Sequence, residues 1–218
     1  MNPMSHSVGL PSGAELRLAN AGALRMVVCV NGGQGSEVPG TWSASLEWLV
    51  AHLAARFPQL GFGEVRYRIK SWKQLDLCIE DTRESIAAAG GEQTLLVGFS
   101  MGGAVAIAAA AEPTVERVVG LAPWIFDRLD VSPLASKRLD VLHGSLDRWL
   151  PGVPGVSPAL SRRGYDRVRA LGVPGSYTLI RGGVHGLALR SPVGLLVPLP
   201  RAGAWTRLVA DQLETFAG

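Results

Sequence analysis

The run Thr94 to Phe99, TLLVGF, passes directly into the alanine-rich stretch Met101 to Ala111 across one glycine-rich hexapeptide, GFSMGG, at Gly98 to Gly103. A short apolar run of this kind predicts a buried strand, and small side chains at helical spacing predict a helix packed closely on a sheet. Pro113 ends that helix, because its ring and missing N–H cannot continue the hydrogen-bond ladder. A strand joined to a helix with no linker demands a sharp backbone turn. Glycines on both sides of Ser100 are the residues that permit one.

The same alternation extends along the chain. Met26 to Val30, MVVCV, halted by Asn31-Gly32-Gly33, reads as a buried strand. Thr41 reads as the cap of a helix through about Phe57, with Leu46, Leu49, Val50 and Leu53 on one face. Glu64 to Ile69 reads as a strand, and about Gln74 to Ala89 as a helix closed by Gly90-Gly91. Val115 to Leu121 and Leu139 to His143 supply further strands. A helix near Leu160 to Leu171, a strand at Tyr177 to Ile180 and a helix at Ala204 to Phe216 complete the pattern. Strands alternating with helices imply βαβ units, hence an α/β fold with a mostly parallel central sheet and helices on both faces. In such a sheet the ligand site lies beyond the carboxyl ends of the strands. The length of 218 residues, with no internal repeat, predicts one domain over 1–218, with 1–20 a peripheral or flexible N-terminal segment.

Composition narrows the field. A hydrophobic share of 47% and mean hydropathy of +0.21 exclude a disordered chain. The longest purely apolar run, Ala104 to Ala111, is far below the ~20 residues that span a bilayer. No basic, apolar leader opens the chain, so a soluble, cytoplasmic protein with no membrane partner is expected. Only Lys70, Lys73 and Lys137 are lysines among 21 basic residues. That arginine bias, with abundant alanine and glycine, points to a GC-rich bacterial genome. The cluster Arg162, Arg163, Arg167 and Arg169 lacks interleaved aromatics, so it reads as a solvated helix face and no nucleic-acid partner is expected. Cys29 and Cys78 make no disulfide framework, and Cys29 reads as a buried free thiol. No Cys/His set has metal-ligand spacing, and no G-x-G-x-x-G follows the first strand. Neither a metal nor a cofactor is expected.

The chemistry-bearing residues fall at predicted strand ends. Gly98, Ser100 and Gly102 match G-x-S-x-G in the strand-to-helix context that gives the motif meaning. A serine hydroxyl becomes a useful nucleophile only when a base takes its proton. Of the four histidines, His6 and His52 precede the serine, and His143 ends a strand and reads as structural. His185, in GGVHG after the last strand, is the candidate base. The carboxylate that would orient it is read as Asp147 in HGSLD, with Asp127 and Asp130 as the fallback. Asp140 lies at the wrong end of its strand. Two N–H donors would face a developing oxyanion: the Met101 amide, and an amide of NGGQGS, Gly33 first and Gln34 second.

Taken together, NGGQGS, GFSMGG, HGSLD and GGVHG resemble the α/β-hydrolase family in order and spacing, over nearly the whole chain. The resemblance implies an eight-stranded, mostly parallel sheet, with fewer strands expected here because the N-terminus is short. It also implies a hydrolase working through an acyl-enzyme, with Ser100, Asp147 and His185 as its triad. Asn31-Gly32 stands where many members carry His-Gly. Only Ile125 to Lys137 separates Trp124 from the following strand, too little for a cap domain. Trp124, Trp149, and Leu195 and Leu196 of the segment GLLVPLP are expected to wall an apolar acyl pocket. No acidic or basic cluster marks the site for a charged substrate. The expected partner is a small-molecule carboxylic ester. A thioester or acyl-peptide substrate, or a non-catalytic receptor using the same pocket, stays open on these motifs.

Overall fold

The computed structural model describes residues 6–147 and 155–218. The chain runs β1 (His6–Gly9), β2 (Glu15–Ala19), β3 (Arg25–Val30), α1 (Ala44–Leu53), β4 (Leu60–Arg66), α2 (Leu75–Ala89), β5 (Gln93–Phe99), α3 (Met101–Ala109) and β6 (Val115–Leu121). It continues with β7 (Arg138–Gly144), α4 (Pro158–Ala170), β8 (Tyr177–Ile180), β9 (Ala188–Arg190), β10 (Leu196–Pro198) and α5 (Ala202–Ala217). Eight strands form the main sheet in the order β1-β2-β4-β3-β5-β6-β7-β8, and β9 and β10 form a separate hairpin. From β4 to β8 every pairing is parallel, while β1 and β2 join antiparallel at the edge. This is the α/β-hydrolase arrangement.

The period of two along the strands divides the core. Met26, Val28 and Val30 of β3 face a cluster that includes Cys78 and Ile86 of α2, Val105 of α3 and Val168 of α4. Val27 and Cys29 face the opposite cluster, with Leu46 and Leu49 of α1 and Trp205 and Leu213 of α5. Helix α3 is buried all round, which its alanine and glycine content allows. Parallel strands end at one edge, so the loops after β3, β5, β7 and β8 meet there.

Several expectations are corrected. The sheet has its full eight strands, because residues 6–19 supply β1 and β2 rather than a loose tail. Strand β4 begins at Leu60, four residues early; Gly61 and Gly63 interrupt its apolar pattern. Ser43, not Thr41, caps α1 by accepting from the Leu46 amide. That helix stops at Leu53, whose carbonyl takes both the Arg56 and Phe57 amides and turns Phe57 into the core. Between β6 and β7 the only regular element is a single 3-10 turn, Ser132–Leu134, and no cap is present there. No helix among the described residues is long and apolar enough to cross a membrane.

Candidate active site

Ser100 sits between β5 and α3 with φ 55° and ψ −118°, a conformation that L-residues rarely adopt. Such strain costs of order 1–3 kcal/mol and persists only where surrounding structure holds it. Here the Ser100 amide donates to the Leu121 carbonyl at 2.9 Å, and the Ser100 carbonyl accepts from Trp124 N at 2.8 Å and Gly103 N at 3.0 Å. The turn also needs bare backbone beside it. A Cβ on Gly102 would lie 2.2 Å from the Val30 carbonyl oxygen, and one on Gly98 would lie 2.4 Å from that of Gly102. The result presents Ser100 at the N-terminus of α3, where first-turn amides lack intrahelical acceptors and the dipole favours negative charge.

After β7, the Asp147 amide bonds the Gly144 carbonyl at 3.1 Å, and the Leu146 amide bonds that of Gly183 at 2.9 Å. This turn buries Asp147 completely. Its Oδ2 lies 2.7 Å from His185 Nδ1, and its Oδ1 accepts from the Val156 amide at 3.1 Å. His143 Nε2 lies 3.3 Å from the same Oδ2 and bonds the Val156 carbonyl at 2.8 Å. Burial of the Asp147 carboxyl opposes its ionisation, but the hydrogen bonds from His143 and His185 outweigh it and hold its pKa below the ordinary carboxylate value. An ionised carboxylate only accepts, so His185 Nδ1 is the donor of this contact, and Nε2 is the ring nitrogen not engaged by Asp147. The loop bearing His185 is pinned on both sides. Gly182 N donates to Ser145 Oγ at 2.9 Å, and Leu187 N donates to Ser45 Oγ at 2.9 Å.

Two cavities meet at Ser100. The larger, about 300 Å³, also draws on Gly33, Trp42, Lys70, His185 and Arg190. The smaller, about 200 Å³, is bounded by Trp72, Met101, Trp124 and Val156. Ser100 and His185 therefore line one cavity together, with no hydrogen bond between them in this structure. Nucleophile and base contacts are commonly looser before substrate binds. The amides of Met101, Gly33 and Gln34 donate no hydrogen bond among the described residues. Gly33 backs onto Met101, since a Cβ there would meet its sulfur at 2.1 Å. Gln34 turns its carbonyl to the Trp72 amide at 3.1 Å.

The sequence-derived candidates divide accordingly. Ser100, His185, Gly33, Gln34, Met101 and Trp124 all border these cavities, and Asp147 stands behind His185. Trp149 lies outside the described residues. Leu195 and Leu196 line neither cavity, and Leu195 is 66% exposed. Their hairpin contributes Leu189 and Arg190 of β9 instead. Asp127 and Asp130 are exposed, the latter capping Ser132, while Asp140 is buried against Arg138 and Ser176. Lys70 and Arg190 line the larger cavity, though no acidic or basic cluster in the sequence marks them. A strand-end rule applied to β4 would have found Lys70; nothing local marks Arg190 or Trp42. Among the described residues no group of three or more His, Cys, Asp or Glu is arranged to hold a metal.

An eight-stranded, mostly parallel sheet with a serine on a strained strand-to-helix turn defines the α/β-hydrolase class. Residues 27–216 match that family as a whole, and the chain belongs to the alpha/beta hydrolase family. Among solved structures it is similar to MGS-M1, an α/β hydrolase from a Medee basin deep-sea metagenome library, at 16% identity and TM-score 0.69 over 100% of this chain and 99% of that one. It is similar to a sugar hydrolase, YeeB, from Lactococcus lactis at 17% identity and TM-score 0.70, covering 96% and 97% of the two chains. The thermophilic esterase Est2 of Thermogutta terrifontis, with butyrate bound, aligns at 15% identity and TM-score 0.62 over 99% and 95%. These likenesses describe the fold. No curated protein matches the chain.

Proposed function

We propose that the protein is a serine hydrolase that cleaves carboxylic esters through an acyl-enzyme, with Ser100 as nucleophile, His185 as base and Asp147 as the group that orients it. One observation carries this reading: a buried carboxylate 2.7 Å from His185 Nδ1, with His185 and the strained Ser100 lining one cavity. His185 Nε2 takes the hydroxyl proton as Ser100 Oγ attacks the ester carbonyl. Asp147 stabilises the imidazolium without taking its proton. The Met101 and Gly33 amides, which spend no hydrogen bond elsewhere among the described residues, donate to the tetrahedral oxyanion. Each such donor is worth about 3 kcal/mol of transition-state stabilisation. The oxyanion collapses, His185 protonates the departing alcohol, and water repeats the sequence to release the acid.

The ester class is favoured by a neighbour of the same fold, the Thermogutta terrifontis esterase, known in butyrate-bound and propionate-bound forms. A cavity of about 200 Å³ walled by Trp72, Trp124, Met101 and Val156 suits a short acyl chain. The test is labelling by a fluorophosphonate probe in the wild type and in Ser100→Ala, followed by p-nitrophenyl esters of increasing chain length. Labelling that vanishes in Ser100→Ala, with turnover falling beyond short acyl chains, is the expected outcome. A folded wild type that takes no label overturns the esterase reading and favours a receptor using the same pocket.

A further inference from the structure

The two cavities at Ser100 differ in chemistry. The smaller is walled by two indoles, a methionine and a valine, and among the described residues it holds no charged side chain. The larger carries two cations, Lys70 and Arg190, beside Trp42 and Phe99. Their charges are balanced differently. Arg190 gives a guanidinium nitrogen to Glu47 at 2.5 Å and another to the Gly194 carbonyl at 3.1 Å. Among the described residues Lys70 has only the Thr41 hydroxyl, 2.9 Å from its Nζ. No carboxylate lies within ion-pair distance of it among the described residues, and the stretches 1–5 and 148–154 contain no Asp or Glu. Lys70 is half-buried along its stem while its ammonium meets Thr41 at the exposed mouth of the cavity, and burial pulls its pKa below the ordinary lysine value.

A cation on a cavity wall whose side-chain partner among the described residues is a hydroxyl leaves its charge free to pair with a bound anion. An ammonium has three donors, and here one is used within the protein. The main chain explains why it stays there. The Lys70 amide donates to the Val38 carbonyl at 2.8 Å, and Ile69 bridges Pro39, so the residue is held against the loop that follows β3. That loop also carries Gly33, on the same cavity wall.

His185 lines the larger cavity and not the smaller. A general acid must reach the oxygen of the departing alcohol. The leaving group therefore occupies the larger cavity and the acyl chain the indole-walled one. We infer that the preferred substrate is an ester with a short apolar acyl chain and an anionic leaving group, its carboxylate or equivalent anion paired with Lys70. This rests on the hydrolase reading above and goes beyond it by naming the charge, and the side of the scissile bond that bears it.

The test compares two esters of nearly equal size, 4-carboxyphenyl butyrate and its neutral counterpart 4-carbamoylphenyl butyrate, in wild type, Lys70→Met and Lys70→Arg. Intrinsic reactivity cancels when the ratio of their kcat/KM values is compared between variants. The ratio should fall about tenfold in Lys70→Met, the scale of one charge-assisted hydrogen bond, and largely recover in Lys70→Arg. A ratio unchanged in Lys70→Met, with both esters still cleaved, overturns the anion assignment and leaves the hydrolase reading intact. A second arm needs no turnover: titration of 4-hydroxybenzoate and 4-hydroxybenzamide into Ser100→Ala, with and without Lys70→Met. Tighter binding of the benzoate that disappears with Lys70→Met supports the assignment even if both esters prove inert. Equal affinity of the two compounds in Ser100→Ala overturns it.

Discussion

Asp147 offers two oxygens to three donors, and this crowding sets what a single substitution does. Oδ2 faces His185 Nδ1 at 2.7 Å and His143 Nε2 at 3.3 Å, and Oδ1 takes the Val156 amide at 3.1 Å. Asparagine keeps the shape but has one accepting oxygen, so an NH₂ must confront either His185 or the Val156 amide. If it confronts His185, the imidazole is driven to the other tautomer and loses the lone pair that would take the serine proton. Asp147→Asn should therefore lower kcat by about 10³- to 10⁴-fold while melting as a folded protein. Steady-state kinetics beside a thermal unfolding curve checks both halves; a drop below tenfold would remove Asp147 from the mechanism. Ser100, Asp147 and His185 were legible in the sequence for one reason. Each follows a parallel strand within a few residues and has glycine nearby, so strand ends and order suffice to find them. Lys70 follows a strand too, directly after Ile69 where the sequence ends it, but a lone lysine there completes no motif of the triad. His143 escaped as a neighbour of the acid because its partner Val156 lies 13 residues further along the chain, beyond the reach of any local pattern.

At the scale of the element, the junction of β5 and α3 is the part most completely written in the local sequence. It also leaves no room for added atoms. Gly102→Ala would put a methyl 2.2 Å from the Val30 carbonyl oxygen, a backbone atom that cannot rotate away. Relief requires α3 to move off β3, and α3 carries Met101, whose amide is a proposed oxyanion donor. The expected outcome is about 3 kcal/mol of destabilisation and loss of fluorophosphonate labelling. Gly90→Ala is the matched control. Gly90 ends α2 with φ 72° and has nothing within 4 Å, so alanine there meets backbone strain alone, about 1 kcal/mol, with labelling intact. Denaturant unfolding and labelling of the two variants separate crowding from conformational preference. Equal losses in both would mean that close approach at Gly102 does not govern the turn. The elements that escaped the sequence reading are short and irregularly apolar. Strand β2 shows a period of two, with Leu16 and Leu18 inward, but over only five residues. The β9–β10 hairpin presents Leu189 and Val197 to solvent, the reverse of what an amphipathic pattern signals.

Across the whole molecule, the antiparallel edge of the sheet and the wall of the larger cavity share one charge network. Glu64 of β4 is fully buried, and its Oδ-equivalent carboxylate oxygens, Oε1 and Oε2, face two different elements. Oε2 accepts from Arg17 of β2, at 2.6 Å from Nη2 and 3.0 Å from Nε, and Oε1 accepts from the amide of Ser43, the cap of α1, at 2.8 Å. Arg17 also reaches Glu47 at 2.7 Å, which meets Arg190 on the cavity wall. Burial pushes the Glu64 carboxyl up to about 7, against the pull of Arg17. The sign of the resulting pH dependence follows from proton counting. Between the ordinary value of 4.5 and about 7 the native chain holds a proton that the unfolded chain has released. The contribution of Glu64 to stability is therefore full below 4.5 and declines as pH rises toward 7. Asp147 and Glu47 are shifted the other way, so their contributions are present above the ordinary carboxylate range and are lost on acidification below it. Between pH 5 and 7.5 Asp147 and Glu47 stay ionised, and the comparison with Glu64→Gln cancels every group common to the two proteins. Over that range the wild type should lose about 2 kcal/mol of unfolding free energy relative to Glu64→Gln, whose amide does not titrate. Urea unfolding of both proteins at half-unit steps of pH measures that difference directly. A difference that stays flat would mean that Arg17 keeps Glu64 ionised throughout, and the network would then be a permanent ion pair with no protonated state near neutrality.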